Sequence, residues 1–250
     1  MDFKNNMIEC GKLHYQLQEY LKSLIAPGVS AVMLDEAAAK WAEEHDCFLE
    51  NLGYKGYPAH ICVNINEEVQ HSIPGFRQIQ EGDLVNIDFS IRYKGVVTDA
   101  ARTYIVGNVD RRYEKLVHYT KKAFNEALKN MKPGKTNKDL TKNIYKVAKE
   151  HNYYPAPYLT GHGIGENMHE EPFIANDINA DVPVVKLEVG KAYAIEPIFL
   201  IKRDKVVLLH DNWTLVATDG TYSAQYEDTV LLTEDGYINL TNGSTMKGDV

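Results

Sequence analysis

The sequence has few of the features that mark secreted, membrane-spanning or nucleic-acid-binding proteins. Only 3 of its 250 residues are cysteine, and no Cys-x-x-Cys pair occurs, which fits reduced thiols better than a disulfide framework. No apolar run approaches the length of a membrane span, and the first residues are polar, with no targeting signal. The formal net charge is −8 without a long basic run. We therefore expect a cytoplasmic protein with no membrane contact and no specific nucleic-acid partner.

The residues that are present favour one globular domain, 1–250, in which helices and strands alternate. An apolar fraction of 44% in 250 residues is enough to bury a sizeable core. Helical spacing of apolar residues predicts two helices before Phe48 and two more between Tyr113 and Ala148. Alternating runs at Leu84–Ile91 and Val96–Val106 predict a β-hairpin with a turn at Arg92–Gly95. The last third is again strand-rich.

This order of elements contains an internal repeat. The repeated positions share nearly equal offsets: Pro27-Gly28 with Pro133-Gly134, Leu34 with Leu140, Ala42 with Ala148, Gly82 with Gly190, and Asp88 with Glu196. Coincidence between common helix-loop patterns is the alternative explanation. The preserved order favours two pseudo-symmetric helix-helix-strand-strand halves, at about 8–110 and 111–235. We expect 234–250 to be a frayed tail.

Two acidic residues in the predicted hairpin indicate a cation site. Asp88 and Asp99 are equidistant from the middle of the Arg92–Gly95 turn, which predicts that they face each other directly across two strands. Like charges at that separation, roughly 5 Å between Cβ atoms, repel each other, and the apolar neighbours Ile87 and Phe89 indicate burial. A bound cation would remove this repulsion. The alternative is that the two acids lie on a solvent-exposed strand face, where no cation is needed.

The second half supplies matching acids and several histidines. Glu196 occupies the repeat position of Asp88, and Glu227 lies on a later strand at the position that corresponds to Asp99. Four carboxylates that converge in a core are hard to explain without metal. Three histidines are candidates to complete the site: His71 before the hairpin, His162 between glycines, and His169 in Met168-His169-Glu170-Glu171-Pro172. His169 does not begin a His-Glu-x-x-His zinc helix, because Phe173 stands where the second histidine belongs.

These segments together resemble the motif set of the type I methionine aminopeptidases, in the same order and with fitting spacing. The segments are Asn86-Ile87-Asp88, Thr98-Asp99, Gly161-His162-Gly163-Ile164-Gly165, His169-Glu170-Glu171-Pro172, Ile195-Glu196-Pro197 and Gln225-Tyr226-Glu227. The resemblance extends from the first helix to about Thr233. It implies the mixed α/β "pita-bread" fold, with two related halves around a central antiparallel sheet.

The resemblance also implies a role for each matching residue. The metal ligands would be Asp88, Asp99, His162, Glu196 and Glu227, with Asp99 and Glu227 bridging two ions. His71, His169 and Glu196 would be catalytic, and both histidines would contact substrate. The methionine pocket would be formed by Tyr54, Tyr57, Cys62, Met168 and Trp213. The sequence departs from the usual pattern at Met168, Ser72 and Asp228, where relatives commonly carry an aromatic residue, glycine and histidine.

The function implied is removal of the N-terminal methionine from nascent polypeptides by water that two divalent metal ions activate. One imidazole and four carboxylates suit Co, Mn, Fe or Zn. We expect a monomer that associates with the ribosome. Two alternatives stay open: a proline-directed peptidase of the same fold, and a non-catalytic binding protein. The first usually carries an additional N-terminal domain, for which the early first helix leaves no room. The second should have lost ligands that are all present here.

Overall fold

The computed structural model describes residues 2–202 and 206–247, and this part of the chain contains two pairs of α-helices. The helices are α1 Phe3–Leu24, α2 Ala31–Glu44, α3 Arg111–Leu128 and α4 Asn137–Glu150. None of these helices is both long and apolar enough to cross a membrane. One pair precedes the strands of the first half, and the other pair precedes those of the second half, as the repeat predicts.

Local side chains fix where the second pair of helices begins. The Asp110 carboxylate accepts a hydrogen bond from the backbone N–H of Arg112 at 2.9 Å, at the start of α3. Thr136 and Asp139 form a capping box at the start of α4, in which each side chain bonds the backbone of the other residue. Such caps satisfy backbone N–H groups that have no partner within the helix.

The first half contains a sheet built around one long central strand. The strands of the first half are β1 Phe48–Leu49, β2 Cys62–Ile65, β3 Glu68–Gln70, β4 Leu84–Tyr93 and β5 Val96–Ile105, and all of them except β3 belong to this sheet. The central strand β4 pairs antiparallel with β5 on one side and with β2 and β1 on the other.

The second half repeats this arrangement around β9. Its strands are β6 Tyr154–Pro155, β7 Thr160–Ile164, β8 Glu170–Ala175, β9 Ala192–Ile195, β10 Ile198–Leu200, β11 Val206–Leu208, β12 Leu215–Ala217, β13 Ser223–Gln225, β14 Asp228–Thr233 and β15 Gly236–Asn239. Strand β9 lies between β7 and β14, as β4 lies between β2 and β5, and all of these pairings are antiparallel. The short strand β3 pairs with β12, which ties the two halves together.

The two sheets meet where β5 runs beside the start of β14. The N–H of Glu227 donates to the carbonyl of Ala101 at 2.9 Å. The Thr229 hydroxyl accepts from the N–H of Asp99 and donates to the carbonyl of Asp99, both at 2.8 Å. This junction therefore fixes Asp99 and Glu227 next to each other in the middle of the protein.

Each helix pair covers its own half with an apolar layer. One core joins α1 and α2 to β4 through buried residues such as Leu17, Leu34 and Phe89. The other joins α3 and α4 to β9 and β14 through residues such as Phe124 and Ile144. Helices outside and antiparallel strands between two related halves are the arrangement predicted for the pita-bread fold, and that prediction is confirmed.

The predicted register of the β4–β5 hairpin is wrong by two residues. Asp99 lies opposite Ser90, and Asp88 lies opposite Ala101, so the two acids are diagonal neighbours on one face and not a directly opposed pair. The cause is a shorter turn than predicted: Tyr93 pairs with Val96, which leaves only two residues in the loop. Diagonal residues are roughly 7–8 Å apart, a spacing that leaves room for a cation between carboxylates.

The segment from residue 234 onward is not the frayed tail that the sequence predicts. Its strand β15 pairs with β14, and Leu240 is fully buried against the first core. A Cβ atom added at Gly11 of α1 would lie 2.4 Å from the Leu240 carbonyl oxygen, so the segment packs directly on the helix backbone. Residues 248–250 of the predicted tail lie outside the described residues.

Substitution of Leu240 tests this correction. Leu240→Ala should lower the free energy of unfolding by about 2–5 kcal/mol, because it leaves a cavity in a closed core. Denaturant unfolding measures the loss. Tyr237→Ala on the preceding strand β15 is the control, because this side chain is 43% exposed and its loss should cost less than about 1 kcal/mol. Small and equal effects of both substitutions on the free energy of unfolding would support the frayed tail that the sequence predicts.

Candidate active site

A single cavity of about 160 Å³ brings together every site residue that the sequence predicts. The five proposed metal ligands lie in its wall: Asp88, Asp99, His162, Glu196 and Glu227. The residues proposed to contact substrate line the same cavity: Tyr54, Tyr57, Cys62, His71, Met168, His169 and Trp213. The two sets therefore share one space, as catalysis on a bound substrate requires.

The four carboxylates reach the cavity from both halves of the fold. Asp88 lies on β4 and Asp99 on β5, while Glu196 follows the last residue of β9 and Glu227 precedes the first residue of β14. All four residues are buried. One ligand atom each from Asp99, His162 and Glu227 lies within 4.8 Å of the other two, a spacing compatible with a shared cation.

His162 presents one ring nitrogen to these acids. Its Nδ1 lies 2.9 Å from the Gly163 carbonyl oxygen, which assigns the proton to Nδ1 and leaves Nε2 as an acceptor. This Nε2 lies 3.7 Å from Oε1 of Glu196. Burial lowers the pKa of His162 to about 4, so the imidazole is neutral at pH 7 and able to bind metal.

Glycines on both sides of His162 allow neighbouring strands to approach this closely. A Cβ atom added at Gly161 would lie 2.5 Å from the Ala194 carbonyl oxygen, and one at Gly163 would lie 2.6 Å from that of Glu171. Neither backbone oxygen has room to move, because both belong to strands that pair with β7. The Gly-His-Gly sequence is therefore needed to place the imidazole at the cavity wall.

The acids are costly to ionise together in this environment. Burial, followed by the charge of Asp99, raises the pKa of Asp88 to about 8. Burial also raises the pKa of Asp99, to about 6. The pKa values of Glu196 and Glu227 are raised well above their usual range by burial and then by the neighbouring carboxylates. A positive charge at the centre of the group would reverse these shifts.

The hydrogen bonding of the carboxylates supports a cation at this position. Oδ1 of Asp99 and Oε1 of Glu227 are buried and have no hydrogen-bond partner among the described residues. Buried carboxylate oxygens without a partner are strongly destabilising. Together with one imidazole and two further carboxylates, they form a donor set that suits divalent metal ions.

Two glutamines that were not predicted as site residues donate hydrogen bonds to three further carboxylate oxygens. Gln70 Nε2 lies 3.2 Å from Oδ2 of Asp88 and 3.5 Å from Oε2 of Glu196. Gln225 Nε2 lies 3.3 Å from Oε2 of Glu227. Gln70 immediately precedes the predicted site residue His71, and Gln225 begins the motif Gln225-Tyr226-Glu227, but neither glutamine was assigned a role from the sequence.

The two histidines proposed to contact substrate occupy the cavity without joining the carboxylates. His71 has a left-handed backbone, with φ of 59°. Its neighbour Ser72 is held on both sides, because its N–H donates to Asn64 Oδ1 at 2.9 Å and its carbonyl accepts from the Tyr57 hydroxyl at 2.8 Å. The His169 ring centre lies 4.2 Å from that of His162. The pKa values of His71 and His169 are lowered, first by desolvation, so both rings are neutral at pH 7.

An aromatic pocket adjoins the acids. The rings of Tyr57 and Trp213 meet edge to face with centres 5.1 Å apart, and they pack with Cys62 in one small apolar cluster. Tyr54 stacks on His169 at 5.3 Å, and Met168 completes the lining at 5% exposure. The pocket suits an unbranched apolar side chain that carries a polarisable sulfur.

Three further lining residues were not predicted: Asn51, Lys55 and Ser90. Asn51 Oδ1 accepts from the N–H of Ser90 at 2.8 Å, and its amide nitrogen lies 3.8 Å from the sulfur of Cys62. Asn51 thereby links β4 to the pocket. An isolated asparagine in a loop gives no periodic signal in the sequence.

Asp228, one of the departures from the expected pattern, does not line the cavity. Its buried carboxylate pairs with Arg102 of β5 and accepts from the Thr241 hydroxyl at 2.6 Å and from Asn239 Nδ2 at 2.8 Å. The aspartate at position 228 therefore affects contacts at the β5–β14 junction and does not alter the cavity wall.

The sequence profile of metallopeptidase family M24 matches residues 5–234. The chain belongs to this family. Methionine aminopeptidase 1 of Bacillus subtilis is 33% identical over 235 residues, which are 94% of each chain. Methionine aminopeptidase 1D of Arabidopsis thaliana, from chloroplasts and mitochondria, is 34% identical over 92% of this chain, but the match spans only 66% of that relative. Within the M24 family, the chain thus groups with the methionine aminopeptidases of type I, as the motifs predict.

Solved structures of this family agree with the fold. The methionine aminopeptidases of Rickettsia prowazekii and Thermotoga maritima both superpose with a TM-score of 0.90, at 31% and 33% identity and with about 95% of each chain covered. Prolidase from Pyrococcus furiosus superposes with a TM-score of 0.77 at 22% identity, which shows a shared fold only. M24 membership and the Asp, His and Glu cluster together indicate an enzyme that uses divalent metal.

Gln70 should control metal affinity without being a ligand. Gln70→Met keeps the length of the side chain but removes the donor to Asp88 and Glu196, and groups that orient ligands typically contribute about 10–100-fold to metal affinity. We expect a loss of this size in Mn²⁺ titrations by calorimetry. Gln80→Met, on an exposed residue, is the control. Unchanged affinity in Gln70→Met would remove Gln70 from the site.

The raised pKa values predict how the metal-free protein responds to pH. A carboxyl group whose pKa is higher in the folded state binds more protons there, so it lowers stability as pH rises from its unfolded pKa through its folded pKa. The chelated protein should therefore lose melting temperature between about pH 7.5 and about pH 9, where Asp88 titrates and the buried histidines are almost fully neutral in both states.

Asp88→Asn provides the matched comparison for this pH dependence, because the amide keeps the shape of the side chain and does not titrate. The chelated variant should show a smaller fall over the same range in scanning calorimetry. Saturating Mn²⁺ should remove the fall in the parent protein. Equal slopes in the chelated parent and variant would contradict the assigned titration of Asp88.

Proposed function

We propose that this protein is a type I methionine aminopeptidase that releases the N-terminal methionine of nascent polypeptides. The observation that carries the proposal is the shared cavity, in which five potential metal ligands adjoin a pocket of aromatic and sulfur-containing side chains. Relatives of similar length bear this name. We extend the proposal to a cytoplasmic monomer that meets its substrates at the ribosome, on the basis of the family resemblance.

We propose that two divalent ions bind here, of Co, Mn, Fe or Zn. Two ions nearly balance the four carboxylates, and the partnerless oxygens of Asp99 and Glu227 support the bridging roles of these residues. Asp88 would help to hold one ion, and His162 with Glu196 would help to hold the other. Such a pair of ions supplies Lewis acidity and an acidified water at neutral pH.

The protein side chains then bind substrate and move protons. Glu196 is the proposed general base, because its carboxylate lies in the cavity wall among the proposed metal ligands, where the attacking water would be held. His169 and His71 are neutral and can each donate one hydrogen bond to the substrate peptide group. These donors stabilise negative charge as it develops on the peptide oxygen. The pocket of Tyr57, Cys62 and Trp213 holds the methionine side chain.

Peptide cleavage tests this function against the proline-directed alternative. With Mn²⁺, the protein should release methionine from Met-Gly-Met, leave Ala-Pro and N-acetylated Met-Gly-Met intact, and lose activity on chelation. Mass spectrometry of the products measures all of these outcomes. Faster cleavage of Ala-Pro would assign the protein to the alternative. No cleavage of any peptide by the metal-loaded protein would leave only a binding function.

His169 should act on substrate and not on metal. His169→Ala should lower turnover of Met-Gly-Met by about 10²–10³-fold, the size typical for loss of a donor to a developing oxyanion. Metal content, measured by plasma emission spectrometry, should stay as in the parent protein. His162→Ala is the contrasting variant and should lose metal as well as turnover. A His169→Ala protein without metal would show that His169 is a ligand.

A further inference from the structure

A lysine at the rim of the cavity has no part in the proposed mechanism. Lys55 lines the same cavity as the carboxylates, and its Nζ lies 5.2 Å from the centre of the Tyr54 ring. Among the described residues, no carboxylate lies within ion-pair distance of Lys55. The cavity wall therefore contains a cationic group that has no anionic partner within the described protein.

The backbone around Lys55 fixes where this side chain begins. Three residues of the loop have left-handed backbones: Gly53 with φ of 81°, Lys55 with φ of 48° and Gly56 with φ of 89°. The loop is closed by hydrogen bonds from the N–H of Gly53 to the carbonyl of Tyr57 at 2.8 Å, and from the N–H of Tyr57 to the carbonyl of Tyr54 at 2.9 Å. A lysine holds such a conformation only where its surroundings enforce it.

The position of Lys55 relative to the other site residues indicates which part of a substrate it meets. Its Nζ approaches the Tyr54 ring, which stacks on the His169 ring with centres 5.3 Å apart, and His71 lines the same cavity. Lys55 therefore lies near the groups proposed to hold the scissile peptide bond. The methionine side chain occupies the pocket of Tyr57 and Trp213. The chain after the cleaved bond must leave through the rim, where Lys55 lies.

We propose that Lys55 is a specificity-determining residue that binds an anionic group on the substrate downstream of the cleaved bond. This inference rests on the proposed aminopeptidase function. A carboxylate at this position can come from an acidic side chain near the new N-terminus or, in very short substrates, from the free C-terminus. An ion pair at an accessible rim is partly screened, so its effect is expected to be moderate and sensitive to salt.

Four peptides, with either an amidated or a free C-terminus, distinguish these two sources of negative charge. Met-Ala-Glu-Ala-amide and Met-Ala-Gln-Ala-amide differ only in one side-chain charge. Met-Ala-Gln with a free carboxylate and its amide differ only at the C-terminus. We expect the parent protein, loaded with Mn²⁺, to prefer the anionic member of at least one pair by about threefold to fivefold in kcat/KM at low salt. The preference should shrink at roughly 300 mM salt, where the screening length falls below about 8 Å.

Substitutions of Lys55 attribute that preference to its charge. Lys55→Gln should bring the ratio of kcat/KM between anionic and neutral peptides to about one, Lys55→Glu should reverse it, and Lys55→Arg should keep it. None of these side chains is branched at Cβ, so all of them are compatible with the left-handed backbone. Lys115→Glu makes the same change in net charge on the exposed side of α3 and should leave the ratio unchanged. Cleavage of the neutral Met-Ala-Gln-Ala-amide should persist in every variant.

The outcomes separate this inference from the proposed function. Failure of the parent protein to cleave any methionyl peptide would overturn the aminopeptidase function. Normal cleavage of the neutral peptides with equal rates for anionic and neutral partners would overturn the role of Lys55 alone. A preference that survives in Lys55→Gln would also overturn it.

Discussion

The rest of the structure depends on the burial of four carboxylates at one point in the interior of the fold. Gln70 and Gln225 supply amide donors to some of their oxygens, but Asp99 Oδ1 and Glu227 Oε1 have no partner within the described protein. Hydrogen bonds alone therefore cannot compensate for this concentration of negative charge. A cation in the cavity would do so, and metal binding would then contribute to folding stability as well as to chemistry.

The junction of the two halves is organised to tolerate this charge. Beside the carboxylates, Arg102 of β5 pairs with the buried carboxylate of Asp228, donates to the Glu227 carbonyl, and lies with its guanidinium 4.2 Å from the centre of the Tyr226 ring. A buried ion pair adds little net stability compared with apolar contacts, but removal of one partner is strongly destabilising. The pair therefore fixes the register of β5 against β14, and with it the separation of Asp99 and Glu227.

The sequence was sufficient to predict the elements with clear periodicity and the residues within ordered motifs. It predicted the hairpin register wrongly because Lys94 and Gly95, with φ of 49° and 82°, form a two-residue turn that requires left-handed backbones. Lysine is not a residue type that indicates such a turn in a sequence. Gln70 and Gln225 were missed because a single polar residue gives no periodic signal that would mark it as a partner of the carboxylates. The burial of Leu240 depends on Gly11, a contact between distant parts of the chain that no local pattern contains.

The packing of Leu240 on Gly11 also has a consequence for the order of folding during synthesis. Helix α1 is synthesised long before β15, yet its surface around Gly11 is covered only when β15 and Leu240 have been made. At ordinary elongation rates this interval is roughly ten seconds or more. During that time the apolar side of α1 is exposed to solvent. We therefore expect the nascent chain to bind chaperones that recognise nascent polypeptides, even though the helix surface around Gly11 is completely enclosed in the folded protein.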